Sequence, residues 1–208
     1  FSPVANDVVL YVHITSHVPG VPHARLFTEK GGTAFPRFLI LDAQGQALAV
    51  GKGPRTADGF RSWIERGEKI QAIASRSDRT VEDQLLLLET KLEVSDLTHE
   101  DATRAGNRLG SLDETQERRY QKILLRADAR SLLGHTRRLT APERLEVGRR
   151  LLAHLERGRI PEPFSEKMNF FDAILDTLAS TNDLERYQSV LDRYAASFGR
   201  YPNVMKKI

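Results

Sequence analysis

The sequence has 208 residues, of which 40% are hydrophobic and 28% charged, with a formal charge of +3; this is ordinary globular composition, with room for one large domain or two small ones. Cysteine is absent, which excludes disulfides, thiolate metal sites and thiol catalysis within these residues. The longest apolar run, Leu85 to Leu88, falls far short of the ~20 residues that cross a bilayer, and so mild a basic excess does not by itself imply a polyanionic partner.

Residue 1 is Phe, which reads as the start of a processed or trimmed chain. Residues 8–14, VVLYVHI, are β-branched and aromatic and predict a buried strand. A Pro- and Gly-punctuated loop over 17–22 leads to a short helix over 23–30, ended by Gly31-Gly32. Phe35-Pro36 stands directly before the apolar run of 37–41. Proline lacks the amide a ladder needs, so it fixes the first residue of the strand that follows. Residues 42–45, DAQG, predict a hairpin connection to a strand over 47–50. Gly51 and Gly53 then form a lone GxG, which reads as a turn and not as a phosphate loop. Thr56 is placed to cap a helix that packs Phe60, Trp63 and Ile64 and ends at Gly67.

Strand, short helix, X-Pro, strand, tight hairpin, strand and helix, carried by VVLYVHI, GGTAFP, RFLILDAQGQALAV and TADGFRSWIERG, resemble the later half of a thioredoxin-like domain. The resemblance covers about the first third of the chain. It implies that the Phe35-Pro36 bond is cis, and that Ala34, Phe35 and Pro36 form the binding loop that faces the redox cysteines in that family. The family's first strand and CxxC helix have no counterpart here. In thioredoxin-like sheets the strand bearing the cysteines lies between those resembled by 8–14 and 37–41. The resemblance therefore implies that another segment or chain fills that slot, or that the two strands pair directly, since unpaired ladder groups are not left buried.

From residue 68 onward the grammar is helical. Apolar residues recur at three- and four-residue spacing over 81–92, 98–109, 114–133, 141–155, 165–178 and 184–198. Thr80, Thr98, Asp113, Thr140 and Asn182 or Asp183 stand where caps belong, and Pro142 suits a first turn. Short connections favour antiparallel helical hairpins, and TNDLERYQSVLDRYAASFGRYPN is similar to the last helical pair of a tetratricopeptide-type unit, without an exact 34-residue period.

His13, His17 and His23 are the one local cluster with metal-ligand character, but no carboxylate or cysteine completes a ligand spacing, so no metal and no cofactor is expected. Charge is uneven. Residues 78–117 hold eleven acids against four bases, and residues 118–159 twelve bases against four acids. Oppositely charged helices can pair across their faces; the rival is a nucleic-acid surface drawing on Arg118, Arg119, Arg126, Arg130, Arg137, Arg138, Arg149 and Arg150. Tyr120 is the only aromatic among them, so stacking readout is poorly supported. Phe164, Phe170, Phe171, Ile174, Leu175 and Leu178 read as a core face, and Asp172 with Asp176 as a solvated one.

Together these readings predict an α+β/α chain: a thioredoxin-like portion over 1–67 and an α-helical, TPR-like domain over 68–208. The resemblance implies a thiol/disulfide redox protein whose redox motif is absent from this chain, with a protein partner or thiol/disulfide protein substrate and a periplasmic or cell-envelope location, a cytoplasmic one being the alternative. The alternatives are a redox-inactive thioredoxin-like adaptor and a nucleic-acid-binding helical protein. An oxidoreductase activity would require a CxxC-type motif upstream.

Overall fold

The computed structural model describes residues 8, 9, 11, 12, 23, 25–30, 32, 36–94, 97–134 and 139–199. These residues are mostly helical and include one two-stranded antiparallel sheet. The chain packs as two compact units, Phe1–Ile123 and Leu124–Ile208.

In the first unit, α1 (Leu26–Glu29) is a single turn, entered through His23 in the left-handed region. The strands β1 (Leu39–Leu41) and β2 (Ala47–Val50) pair with Leu39 opposite Val50 and Ile40 opposite Ala49, and the register slips between Ile40 and Leu41. The hairpin forms for the reason the sequence suggests. The Asp42 carboxylate accepts the amides of Gln44 at 2.9 Å and Gln46 at 2.7 Å, and Gly45 takes φ +75°.

Of the segment 8–14 expected as a strand, the described residues lie in none. Val9, Tyr11 and Val12 lie in no strand and are 96%, 63% and 80% exposed; Leu10, His13 and Ile14 lie outside the described residues. High β propensity is not enough without a ladder partner, and among the described residues β1 and β2 pair only with each other.

Helix α2 (Ala57–Ala74) is capped by Thr56, whose hydroxyl accepts the Gly59 amide at 3.2 Å. It lies on one face of the hairpin. Phe38, Phe60 and Trp63 form an aromatic cluster with centroids 4.6–5.6 Å apart, and the indole donates to the Lys52 carbonyl at 2.7 Å. Gly67 does not end the helix, as its type suggested. A Cβ there would sit 2.6 Å from Ile40 Cγ2, so this glycine serves the close passage of helix over strand and not a C-cap. The expected boundary between 67 and 68 thus lies inside a continuous helix.

The caps behave as the sequence suggests. Thr80 and Asp83 close a capping box at the start of α3 (Val81–Glu93). Thr98 caps α4 (His99–Gly106), which stops three residues before the expected 109. The Asp113 carboxylate takes two first-turn amides of α5 (Glu114–Leu133), each at 2.8 Å.

The second unit is built on α6 (Ala141–Glu156), α7 (Phe164–Ser180) and α8 (Leu184–Phe198), with the end of α5. Its core holds Leu151, Leu155, Phe170, Phe171, Ile174, Leu175, Leu178, Val190, Tyr194 and Phe198, so the expected face is core from Phe170 to Leu178, whereas Phe164 is 43% exposed. Gly148 of α6 lies directly under Thr177 of α7, where a Cβ would approach Thr177 Cβ to 2.5 Å. No helix among the described residues is long and apolar enough to cross a membrane.

Candidate functional site

Of the loop expected to bind, Pro36 is described and exposed, in a bend three residues before β1. Ala34 and Phe35 lie outside the described residues, and with them the Phe35-Pro36 bond. Next to the loop, Phe38 is packed under Phe60 and Trp63, and the Arg55 guanidinium stands 5.4 Å from its ring centroid. Of the histidine cluster, His23 is exposed while His13 and His17 lie outside the described residues. Among the described residues no group of three His, Cys, Asp or Glu side chains converges.

The basic block is largely tied down, though not mainly by the acidic block before it. Arg119 alone follows the expected pattern: it makes a bidentate pair with Glu89 at 2.6 and 2.7 Å and reaches Glu82 at 2.5 Å. The hydrogen bond to Glu89 outweighs partial burial, and the nearby carboxylates help to raise the guanidinium's pKa. Arg126 and Arg130 instead converge on Glu166 of α7. That carboxylate receives Arg126 Nε at 2.9 Å, Arg126 Nη2 at 3.1 Å, Arg130 Nε at 2.9 Å and Arg130 Nη2 at 2.5 Å. Burial pushes Glu166 up, but the hydrogen bond from Arg126 and the two guanidinium charges more than offset this, leaving it below the usual carboxylate value.

Arg150 and His154 of α6 both address Asp128, at 3.0 and 2.9 Å. Asp128 is buried, and among the described residues His154 Nδ1 has no hydrogen-bond partner. Arg118 and Arg149 pair within their own helices with Glu114 and Glu146, at 3.7 and 3.8 Å. Arg137 and Arg138 lie outside the described residues.

Sequence reasoning missed Asp128 and Glu166, the two acids that organise this region. The signal for Asp128 was present. It sits between Ala127 and Ala129, in a stretch whose neighbours Ile123, Leu125 and Leu132 are core, and an acid on an apolar stripe needs a partner.

This pairing bears on the nucleic-acid alternative. Arg119, held bidentate by Glu89, and Arg126 and Arg130, held by the half-buried Glu166, are poorly placed to neutralise phosphates, whereas Arg118 and Arg149 stay exposed. The full chain is expected to bind duplex or single-stranded nucleic acid weakly at physiological salt. A titration at several salt concentrations checks this: tight binding whose log K falls by ~0.7 to 0.9 per phosphate per log unit of salt would reinstate the alternative.

The second unit carries a shallow groove. Leu152 and Leu155 of α6 and Val190 of α8 form its buried floor, and Glu156, Arg186, Ser189 and Arg193 rim it. Helical spacing puts Arg186, Ser189, Val190 and Arg193 on one face of α8. Arg193 donates to the Leu155 carbonyl at 3.0 Å across the groove, and Arg186 pairs loosely with Asp183 at 3.6 Å. The rim carries two cations and one anion above floor side chains that are almost wholly buried.

No protein-family model, curated protein or solved structure matches this chain.

Proposed function

We propose that this chain is a protein-binding adaptor, and that its second unit takes a short acidic segment of a partner protein in the groove between α6 and α8. The observation that carries the reading is the groove's composition, an apolar floor of Leu152, Leu155 and Val190 beneath the cationic rim of Arg186 and Arg193. The chain has no cysteine, so its contribution is recognition and not thiol exchange. Of the earlier readings this favours the redox-inactive adaptor. The β1–turn–β2–α2 order is compatible with a thioredoxin-like portion and the helical hairpins with a TPR-like one. Neither kinship is needed for the binding proposal.

Selection of displayed peptides on the full chain tests it. Acidic peptides bearing Leu, Ile or Phe are expected to be enriched. The double charge reversal Arg186→Glu, Arg193→Glu should weaken the selected peptides at least tenfold, about 1.4 kcal/mol, with a retained cooperative melting transition as the folding control. Enrichment of basic peptides, or affinity unchanged by the reversal, would contradict the proposal.

A further inference from the structure

Among the described residues of the first unit, two apolar stretches are left uncovered, and they are complementary. One is the outer edge of β1. Phe38 O accepts from Gly51 N and Asp42 N donates to Gln46 O, so residues 38, 40 and 42 spend their backbone groups on β2. By the alternation of an antiparallel ladder, the amides and carbonyls of Leu39 and Leu41 point to the opposite edge. Among the described residues no strand pairs with that edge, and Leu41 is 39% exposed. An open edge of this kind is a template for another strand.

The other element is the segment from Val8 to Val12. Val9, Tyr11 and Val12 are exposed, as is Leu41. The segment has strong strand propensity and carries no charge after Asp7. As a strand it would place Val8, Leu10 and Val12 on one face and Val9 and Tyr11 on the other. Helix α2 covers the Phe38 and Ile40 side of the hairpin, so one face of an added strand would extend that packed layer.

We infer that residues 8–12 dock as a third strand on the free edge of β1 in the same molecule. The tether decides between this chain and a second copy. About 26 residues separate Val12 from Leu39, enough at roughly 3.3 Å each to reach any point on a unit with a radius near 14 Å. The effective concentration of a tethered strand is on the order of millimolar, above that of a second molecule in ordinary solution. The resulting order, with 8–12 directly beside β1, differs from the thioredoxin-like arrangement, in which a further strand stands between. The inference is independent of the α6–α8 groove.

Amide hydrogen exchange on the full-length chain tests it, with light scattering to fix the oligomeric state. The Leu39 and Leu41 amides are expected to be protected on the order of 100-fold in the monomer, together with alternate amides of the 8–12 segment. Replacing Tyr11 and Val12 together by proline removes donors facing both edges, whatever the register. This variant should return Leu39 and Leu41 to near free-chain exchange while leaving α7 amides protected. Free exchange of Leu39, Leu41 and the 8–12 segment in the wild-type chain would overturn the inference. So would protection that appears only in a dimer, which would assign the edge to a second copy, or protection that survives the double proline, which would assign it to another segment.

Discussion

Replacing Glu166 with alanine should cost the full chain about 3 to 5 kcal/mol in denaturant unfolding, because it removes one partner of a largely buried ion cluster and leaves the other partners in place. The Glu166 side chain is 13% exposed and receives four hydrogen bonds from Arg126 and Arg130. Without it, two like charges on successive turns of α5 face each other with that carboxylate gone. Glu166→Gln should fall between, since the amide keeps an acceptor oxygen but loses the charge. The pH dependence has a definite sign. The folded-state pKa lies below the ordinary carboxylate value, so the folded chain keeps the proton off where the unfolded chain binds it. The stabilisation is therefore complete at neutral pH and is lost as pH falls through the acidic range. The wild-type advantage over Glu166→Gln should shrink there. A stability gap that stays constant down to strongly acidic pH would show that the ion cluster is not its source.

Phe171→Ala should be of similar size, about 3 to 5 kcal/mol. Phe171 is fully buried and meets Phe170, Tyr194 and Phe198 edge to face at 5.8, 5.7 and 6.2 Å. Truncation therefore opens a cavity in the middle of an aromatic cluster that joins α7 to α8, and edge-to-face contacts are lost in addition to buried area. Phe164, one of the same predicted face, gives the contrast. It is 43% exposed and makes its edge-to-face contact with Phe198 at 5.4 Å, so Phe164→Ala should cost well under half as much. Equal losses at the two positions, measured by urea titration, would mean that the core is not centred where these contacts place it.

The helices were legible because their information is local. Capping residues such as Thr80, Thr98 and Asp113 bond to amides two or three residues away, and the apolar spacing of α7 is set by its own turn. The hairpin was legible for the same reason, through Asp42 and Gly45. What failed was non-local. Val9, Tyr11 and Val12 have the composition of a strand but lie in none, because where a strand pairs depends on a ladder partner that local sequence does not specify. Gly67 was read as a stop because glycine usually ends helices, whereas here Ile40, 27 residues earlier, decides its role. Likewise the charge blocks pointed to pairing between helices but mostly to the wrong partners. Glu166 and Asp128 reach Arg126, Arg130 and Arg150 through the packing of helices distant in sequence, which block composition does not encode. The groove rim on α8 was readable as a helical face, but its floor needs α6, and only the fold brings Leu152 and Leu155 beneath Val190.

The adaptor reading is tested most directly by mapping a selected acidic peptide onto the full chain through backbone amide chemical shifts. The account predicts that saturable shifts cluster at Leu152, Leu155, Glu156, Ser189, Val190 and Arg193, and that Arg186→Glu, Arg193→Glu abolishes them. Shifts confined to the arginines of α5, or to the β1–β2 hairpin, with the α6 and α8 amides unmoved, would contradict it.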